Sequence, residues 1–119
     1  MTTQQIADRL VELCRTGQFE QAYTELFADD AVSIEPEAMG PFEKETKGLD
    51  NLHKKAQQFG EMTEEVHGVE ISEPIVVANS IALKLVLDAT MKGRDRETMS
   101  EICLYKIKDG KIISEEFFM

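Results

Sequence analysis

The sequence predicts an α+β fold in which helices pack on one face of a curved, mostly antiparallel sheet. Apolar residues recur at helical spacing from Ile6 to Leu26, and again from Leu49 to about Met62. From about Glu65 onward, the pattern is one of strands separated by short turns. Helices followed by a run of strands are typical of this fold class.

Two polar signals mark the predicted helices. Thr2 and Gln5 have the spacing of a capping box, which begins a first helix, and Gly17 suits its C-terminal end. A second helix is predicted to start near Gln18 and to end at Asp29-Asp30.

A short strand is predicted at Ala31–Glu35, where Val32 and Ile34 alternate with polar residues. Residues 36–48 contain two prolines and two glycines, which predicts a mobile connection of the kind that often lines or covers a site. The later predicted strands are 65–71, 75–78, 81–92, 98–108 and 111–119.

Size and charge restrict the function classes. A chain of 119 residues predicts a single domain over residues 1–119. The net charge of −10 disfavours binding to nucleic acids or to anionic membranes, because both are recognised by basic residues. The N-terminus lacks the features of a signal peptide, and no apolar run reaches the ~20 residues of a membrane span. We therefore expect a cytoplasmic protein whose Cys14 and Cys103 are reduced and buried.

Asp109-Gly110 is a strong signal for a two-residue hairpin turn, and such a turn fixes the register of the last two strands. The expected pairs are Ile107 with Ile112, Tyr105 with Ser114, Cys103 with Glu116, and Glu101 with Phe118. All eight side chains then share the buried face. Glu101 and Glu116 become diagonal neighbours on it, with backbone positions roughly 7–8 Å apart.

Glu101, Glu116 and Glu35 are the candidate catalytic carboxyls. A carboxyl on an apolar face is costly unless it is paired or protonated, and burial tunes it toward acid–base chemistry. Glu35 ends a strand and precedes Pro36, so its side chain can reach inward over the apolar face of the sheet. Each of the three can instead be solvated or neutralised by a basic residue, as carboxyls in structural ion pairs are.

Other residues complete the predicted site. His67 can face the pocket or pair with Glu65, and it is a reserve catalytic candidate. Met62 can form a pocket wall or belong to the ordinary core. The predicted pocket lining is Cys103, Tyr105, Phe118, Met62 and Phe59. The sequence contains no metal-ligand spacing and no phosphate-binding glycine motif, so no metal or cofactor is expected.

The order of "GQFEQAYTELFADDAVSIEP", "KGLDNL" and "YKIKDGKIISEEFFM" resembles the nuclear transport factor two-like superfamily. The chain is most similar to its SnoaL-like domain proteins, which are relatives of ketosteroid isomerases and polyketide cyclases. The resemblance implies a cone-shaped roll, also described as cystatin-like. In such a fold a bent sheet wraps around helices, a pocket lies at the open end, and two copies usually associate through the sheet. This superfold hosts enzymes and binding modules alike.

The resemblance also bears on single residues. Ketosteroid isomerases place their proton-shuttling Asp just before a proline after a similar segment, and "ADDAVSIEP" puts Glu35 at that position. Their two oxyanion donors, a Tyr and a protonated Asp, fall on Leu10 and Cys103, which cannot donate strong hydrogen bonds. The resemblance to SnoaL-type cyclases implies acid–base catalysis without a cofactor.

Two functions remain open from the sequence. The first is a cofactor-independent isomerase or cyclase that acts on a hydrophobic carbonyl compound, with Glu35 as the proton acceptor. The second is a non-catalytic homodimeric binding module. Its expected contact surface on the outer sheet face is Ile102, Leu104, Ile113, Phe117 and Met119.

Overall fold

The computed structural model describes residues 1–37 and 42–119 of the chain. The described residues form three helices and seven strands. The helices are α1 (Thr3–Arg15), α2 (Phe19–Leu26) and α3 (Leu49–Met62). The strands are β1 (Phe27–Ile34), β2 (Glu45–Lys47), β3 (Thr63–Ile71), β4 (Ile75–Val77), β5 (Ser80–Met91), β6 (Glu97–Lys108) and β7 (Lys111–Phe118).

The strands form one curved, open sheet in the order β2-β1-β7-β6-β5-β3. The short strand β4 also pairs with β5, outside this order. The neighbouring pairs are antiparallel except β1 and β7, which run parallel. The predicted α+β class, with a curved and mostly antiparallel sheet on helices, is confirmed. The first strand, β1, pairs with the last strand, β7. Two segments that are far apart in the chain therefore form one side of the interior.

The helices fill the concave face of the sheet. The capping box at the start of α1 is present, since the Thr2 Oγ1 accepts from the Gln5 backbone at 3.1 Å and the Gln5 side chain accepts from the Thr2 N–H at 2.9 Å. The apolar stripe of α1, which includes Ile6 and Leu10, is buried against the sheet with Ile81. Cys14 and Cys103 lie in this core as free thiols, as the sequence predicts.

The second helix ends earlier than the sequence indicates. It stops at Leu26, and β1 begins at Phe27 rather than Ala31. Asp29 and Asp30 are therefore exposed positions of a strand instead of a helix end. Phe27 and Val32 pair with β7 on either side of the Asp pair, and this pairing outweighs the local preference of an Asp pair for a helix end. Within the predicted connection 36–48, Glu45–Lys47 form β2, and residues 38–41 lie outside the described residues.

The predicted turn is correct, but the predicted register is wrong beyond its first pairs. Asp109 and Gly110 both have positive φ, and Ile107 pairs with Ile112 as expected. Ile113 is then an extra residue in β7, so Lys106 pairs with Ser114. A β-bulge of this kind transfers every later side chain to the opposite face.

The bulge exchanges the residues that face the interior. Tyr105 pairs with Glu115 and Cys103 pairs with Phe117, so Glu115 and Phe117 point inward. Glu116 pairs with Leu104 and lies on the outer face. Phe118 pairs with Ile102 in the same way and is 44% exposed, whereas the prediction placed it inside.

No helix within the described residues combines the length and the apolar character needed to cross a bilayer.

The bulge predicts which of two adjacent glutamates matters for stability. Replacing Glu115 by alanine leaves the buried Tyr23 hydroxyl without its acceptor, and should lower the free energy of unfolding by about 1–3 kcal/mol. The matched change Glu116→Ala on the outer face should cost less than about 0.5 kcal/mol. Urea unfolding of the two variants measures both values. A larger loss for Glu116→Ala would support the register without a bulge.

Candidate functional site

A large cavity lies between the helices and the concave face of the sheet. Its volume is about 1040 Å³, and most of its walls are aliphatic or aromatic. Its apolar lining includes Leu10, Phe27, Phe59, Leu85, Leu87, Met99 and Phe117. Four ionisable groups that matter below also line it, namely Glu35, Lys55, Glu101 and Glu115. Such a cavity has the size and the mixed lining of small-molecule sites.

Glu35 and Lys55 form an ion pair in the wall of this cavity. Glu35 directly follows β1, and its backbone N–H donates to the Lys44 carbonyl at 2.7 Å, which holds the strand end in place. Lys55 Nζ donates to Glu35 Oε1 at 2.7 Å. The side chains are 17% and 15% exposed, so the pair is largely shielded from water. Partial burial strengthens the attraction compared with a surface pair.

Lys55 connects this pair to a second, deeper carboxyl. Its Nζ also donates to Ser33 Oγ at 3.2 Å, and the Ser33 hydroxyl hydrogen bonds to Glu115. The Tyr23 hydroxyl donates to Glu115 Oε1 at 2.7 Å. A continuous set of hydrogen bonds therefore runs from Glu35 to Tyr23.

Glu115 is buried at the inner end of this network. Burial raises the pKa of its carboxyl above the usual range, and the hydrogen bonds from Tyr23 and Ser33 lower it in part. Burial, followed by the neighbouring Glu115, likewise raises the pKa of the Tyr23 phenol. The parallel pairing of Ser33 with Glu115 brings the serine to the carboxyl.

Glu101 projects from β6 into the same cavity. Burial and, to a lesser extent, the nearby Glu35 and Glu115 raise the pKa of this carboxyl to about 7, while Lys55 opposes the shift. A carboxyl that titrates near neutral pH can either give or take a proton under physiological conditions. Glu101 and the Glu35–Lys55 pair are thus the groups in this cavity suited to moving a proton.

The two cysteines add little reactivity. Burial raises the pKa of the Cys14 thiol to about 12, and it raises that of the Cys103 thiol as well. A thiol is a nucleophile in its deprotonated form, so neither side chain is activated here.

Four of the residues that the sequence singles out lie together in one cavity. Glu35, Glu101, Tyr105 and Phe59 line the cavity. Cys103 lies on the same sheet face but is fully buried in the core beside Tyr105.

Four other predicted site residues lie elsewhere. Glu116 and Phe118 are on the outer face because of the bulge. His67 belongs to an exposed stretch of β3, where its Nε2 lies 2.8 Å from Thr90 Oγ1 and its Nδ1 lies 3.9 Å from Glu65. Met62, at the end of α3, is half-buried outside the cavity lining. The alternative in which His67 pairs with Glu65 fits this arrangement, and the pocket alternative does not.

Four polar residues of the site were missed. Lys55 could have been found from the sequence. It is the only charged residue on the inward stripe of α3, which it shares with Leu52, Ala56 and Phe59. Tyr23 sat on a predicted apolar face, where a phenol needs a hydrogen-bond partner. Ser33 and Glu115 had no local signal, because their positions depend on the β1–β7 pairing and on the bulge.

The donor positions of ketosteroid isomerases are occupied by apolar side chains. Leu10 lines the cavity and Cys103 is buried, and neither supplies a strong donor. The hydroxyl of Tyr23 and the ammonium of Lys55 approach the cavity from α2 and α3 instead. In residues 1–37 and 42–119, no three His, Cys, Asp or Glu side chains gather as metal ligands would.

The comparisons with known proteins agree with this fold. A structure from Mesorhizobium loti, described as a SnoaL-like polyketide cyclase, is 36% identical, with 100% of each chain covered and a TM-score of 0.90. A protein of ketosteroid isomerase-like fold from Catenulispora acidiphila, solved with trimethylamine, is 17% identical, with 99% of this chain and 87% of that chain covered and a TM-score of 0.76.

A further structure is more distant in sequence. TerC, co-crystallised with polyporic acid, is 13% identical, with 98% of this chain and 90% of that chain covered and a TM-score of 0.80. No curated protein matches the chain. The family model for the SnoaL-like domain matches residues 1–119. With its whole length matched and a relative at 36% identity, the chain belongs to the SnoaL-like domain family.

Proposed function

We propose that the chain binds an apolar carbonyl compound in its cavity and transfers a proton on it without a cofactor, as an isomerase or a cyclase does. The observation that carries this proposal is that two carboxyls, Glu35 directly after β1 and Glu101 on β6, face the same largely apolar cavity. A base and an acid that face one substrate are the minimum that such a reaction requires.

The two carboxyls have different environments, which suits them to different roles. Glu35 is paired with Lys55, which stabilises its carboxylate, and it is the proposed acceptor of the substrate proton. Glu101 holds a proton up to about neutral pH, and it is the proposed acid that returns a proton or orients the substrate. Glu116 and His67 have no part in the proposal, because both lie outside the cavity lining.

The cavity lining suggests the kind of substrate. Its volume of about 1040 Å³ can hold a ligand of several fused rings. Aromatic side chains, including Phe27, Phe59 and Phe117, supply flat apolar walls. The relatives described as polyketide cyclases, and the polyporic acid in TerC, favour polyketide-like aromatic compounds as the first class to test.

A thermal-shift screen of steroids and polyketide-like aromatic ketones tests the binding step. A ligand at 100 times its dissociation constant adds about 2.7 kcal/mol of stability, which raises the melting temperature of a domain of this size by about 10 °C. Glu35→Gln should keep this shift and lose turnover at least about 100-fold, because it removes the general base. Glu37→Gln, an exposed neighbour, is the matched control and should retain both. Full turnover in Glu35→Gln, or no ligand across the screen, would contradict the proposal.

The proposed proton exchange at Glu101 predicts a pH-dependent stability. The folded-state pKa of about 7 exceeds the ordinary value of 4.5 for a glutamate, so the folded state binds the proton more tightly than the unfolded chain does. Stability from this group is therefore complete below about pH 4.5 and is lost as the pH rises through about 7. Glu101→Gln should resemble wild type at pH 5 and be more stable at pH 8 in urea unfolding. Parallel pH profiles of the two proteins would show that Glu101 titrates normally.

A specific observation favours homodimer formation as a second feature. Ile102 and Phe118 are cross-strand partners on the outer sheet face, and they are 56% and 44% exposed. Leu104 and Ile113 are half-buried members of the surface that the sequence predicts. Phe117 and Met119 do not belong to that surface, because both line the cavity. An exposed apolar patch on a sheet is typical of an association surface.

Light scattering on the eluted protein tests the dimer. Wild type should elute at twice the mass of the chain, and Ile102→Lys should shift it to the monomer, since a charge in the centre of an apolar contact is not solvated. Val66→Lys changes an apolar residue of similar exposure, 51%, on the cavity side of β3 and should remain a dimer. A monomeric wild type would remove the binding-module alternative in its dimeric form.

A further inference from the structure

Among the described residues, Lys55 is the one whose basic side chain reaches the centre of the polar network described above. It comes from the inward stripe of α3 and is 15% exposed. Its ammonium lies 5.7 Å from the centre of the Phe117 ring, and Phe117 also lines the cavity. Lys55 therefore contacts both the network that leads to Glu115 and an aromatic wall of the cavity.

The donors of this ammonium are only partly used. An ammonium has three N–H donors, and within the described residues two of them go to Glu35 Oε1 and Ser33 Oγ. The third has the face of Phe117 as its neighbour, which is a weaker partner than a carbonyl oxygen. A ligand oxygen in the cavity would complete the coordination of the ammonium.

Charge balance favours a negatively charged oxygen of a ligand at this remaining donor. If Glu35 accepts a proton, its negative charge disappears, and Lys55 is left as a shielded cation without its nearest counterion. A shielded cation of this kind is costly unless a new negative charge appears beside it. An enolate oxygen formed by the same proton transfer is such a charge.

We infer that Lys55 binds the carbonyl oxygen of the substrate and stabilises the oxyanion that forms when Glu35 removes a proton. The inference rests on the proposed function and names the group that replaces the absent donors at Leu10 and Cys103. In the step, the carbon–hydrogen bond next to the carbonyl breaks and an O–H bond forms on Glu35. The electron pair moves onto the carbonyl oxygen, so the total charge of the lysine, the glutamate and the substrate is unchanged.

The substrate class follows from this geometry. The oxygen that Lys55 holds and the acidic carbon that Glu35 deprotonates must belong to one short fragment, since both side chains meet within 2.7 Å. Ketones with an acidic neighbouring carbon, and 1,3-dicarbonyl compounds above all, meet this condition. The aromatic walls favour attachment of that fragment to an apolar ring system.

A coloured phenol tests the oxyanion site without any turnover. 4-Nitrophenol absorbs at longer wavelength as the phenolate, so at a pH below its own pKa the free probe is nearly colourless. Wild type should bind it as the phenolate and develop the colour. Lys55→Met should bind the phenolate about ten- to hundredfold more weakly, because a hydrogen bond to a charged group is lost. Lys54→Met, on the exposed side of the same helix, is the matched control and should behave as wild type.

The Glu35 variants make the test independent of folding defects. Glu35→Gln removes the anion that competes with the phenolate for Lys55, so it should bind the phenolate more tightly than wild type. The double variant Glu35→Gln/Lys55→Met lacks both charges and should again lose the colour, even if Lys55→Met alone folds poorly. A purely structural role of Lys55 would not move the two single variants in opposite directions.

The outcomes separate the two proposals. Equal colour in wild type, Lys55→Met and the double variant, or no colour in wild type, would overturn the role of Lys55. The proposed function would still stand if the carbonyl screen gave a ligand whose turnover needs Glu35. Colour that depends on Lys55, without any carbonyl ligand from the screen, would support the oxyanion site and contradict the proposed reaction.

Discussion

A carboxyl group enclosed by a protein interior needs hydrogen-bond donors, and Glu115 obtains them from two different elements. Tyr23 on α2 and Ser33 on β1 both hydrogen bond to it, while Lys55 on α3 reaches it through Ser33. This requirement fixes how the helices sit against the β1–β7 pair, because a shift of either would leave a buried polar group unpaired. The shape of the cavity depends on the same contacts.

The same network determines the chemistry that the cavity can support. Three carboxyls, Glu35, Glu101 and Glu115, share one basic side chain, and that side chain is committed first to Glu35. Burial is the main reason why the pKa of Glu101 rises to about 7, and the neighbouring Glu35 and Glu115 add to it because nearby carboxyls cannot all be ionised at low cost. A paired carboxylate and a neutral carboxyl in a single apolar cavity provide the base and the acid that acid–base catalysis uses.

Much of the fold could be predicted from local patterns. The α+β class, the capping box of Thr2 and Gln5, helix α3 and the turn at Asp109-Gly110 all follow from residue spacing and from the conformational preferences of single residues. Part of the site could also be predicted from local patterns, because Glu35 ends a recognisable strand and Glu101 lies on the regular inward face of another. The early start of β1 could not be predicted, since its first residues gain their strand conformation from pairing with β7.

The sequence by itself determined the class of the fold, the order of its elements apart from β2, and two of the carboxyls that line the cavity, Glu35 and Glu101. Only the tertiary structure decided that Glu115, and not Glu116, faces the interior, because one unpaired residue at Ile113 changes the face of all that follow. It also decided that Lys55 meets Glu35, which lies 20 residues away in the chain. Periodicity reports which face of an element is apolar, but the contacts between faces depend on how distant segments pair.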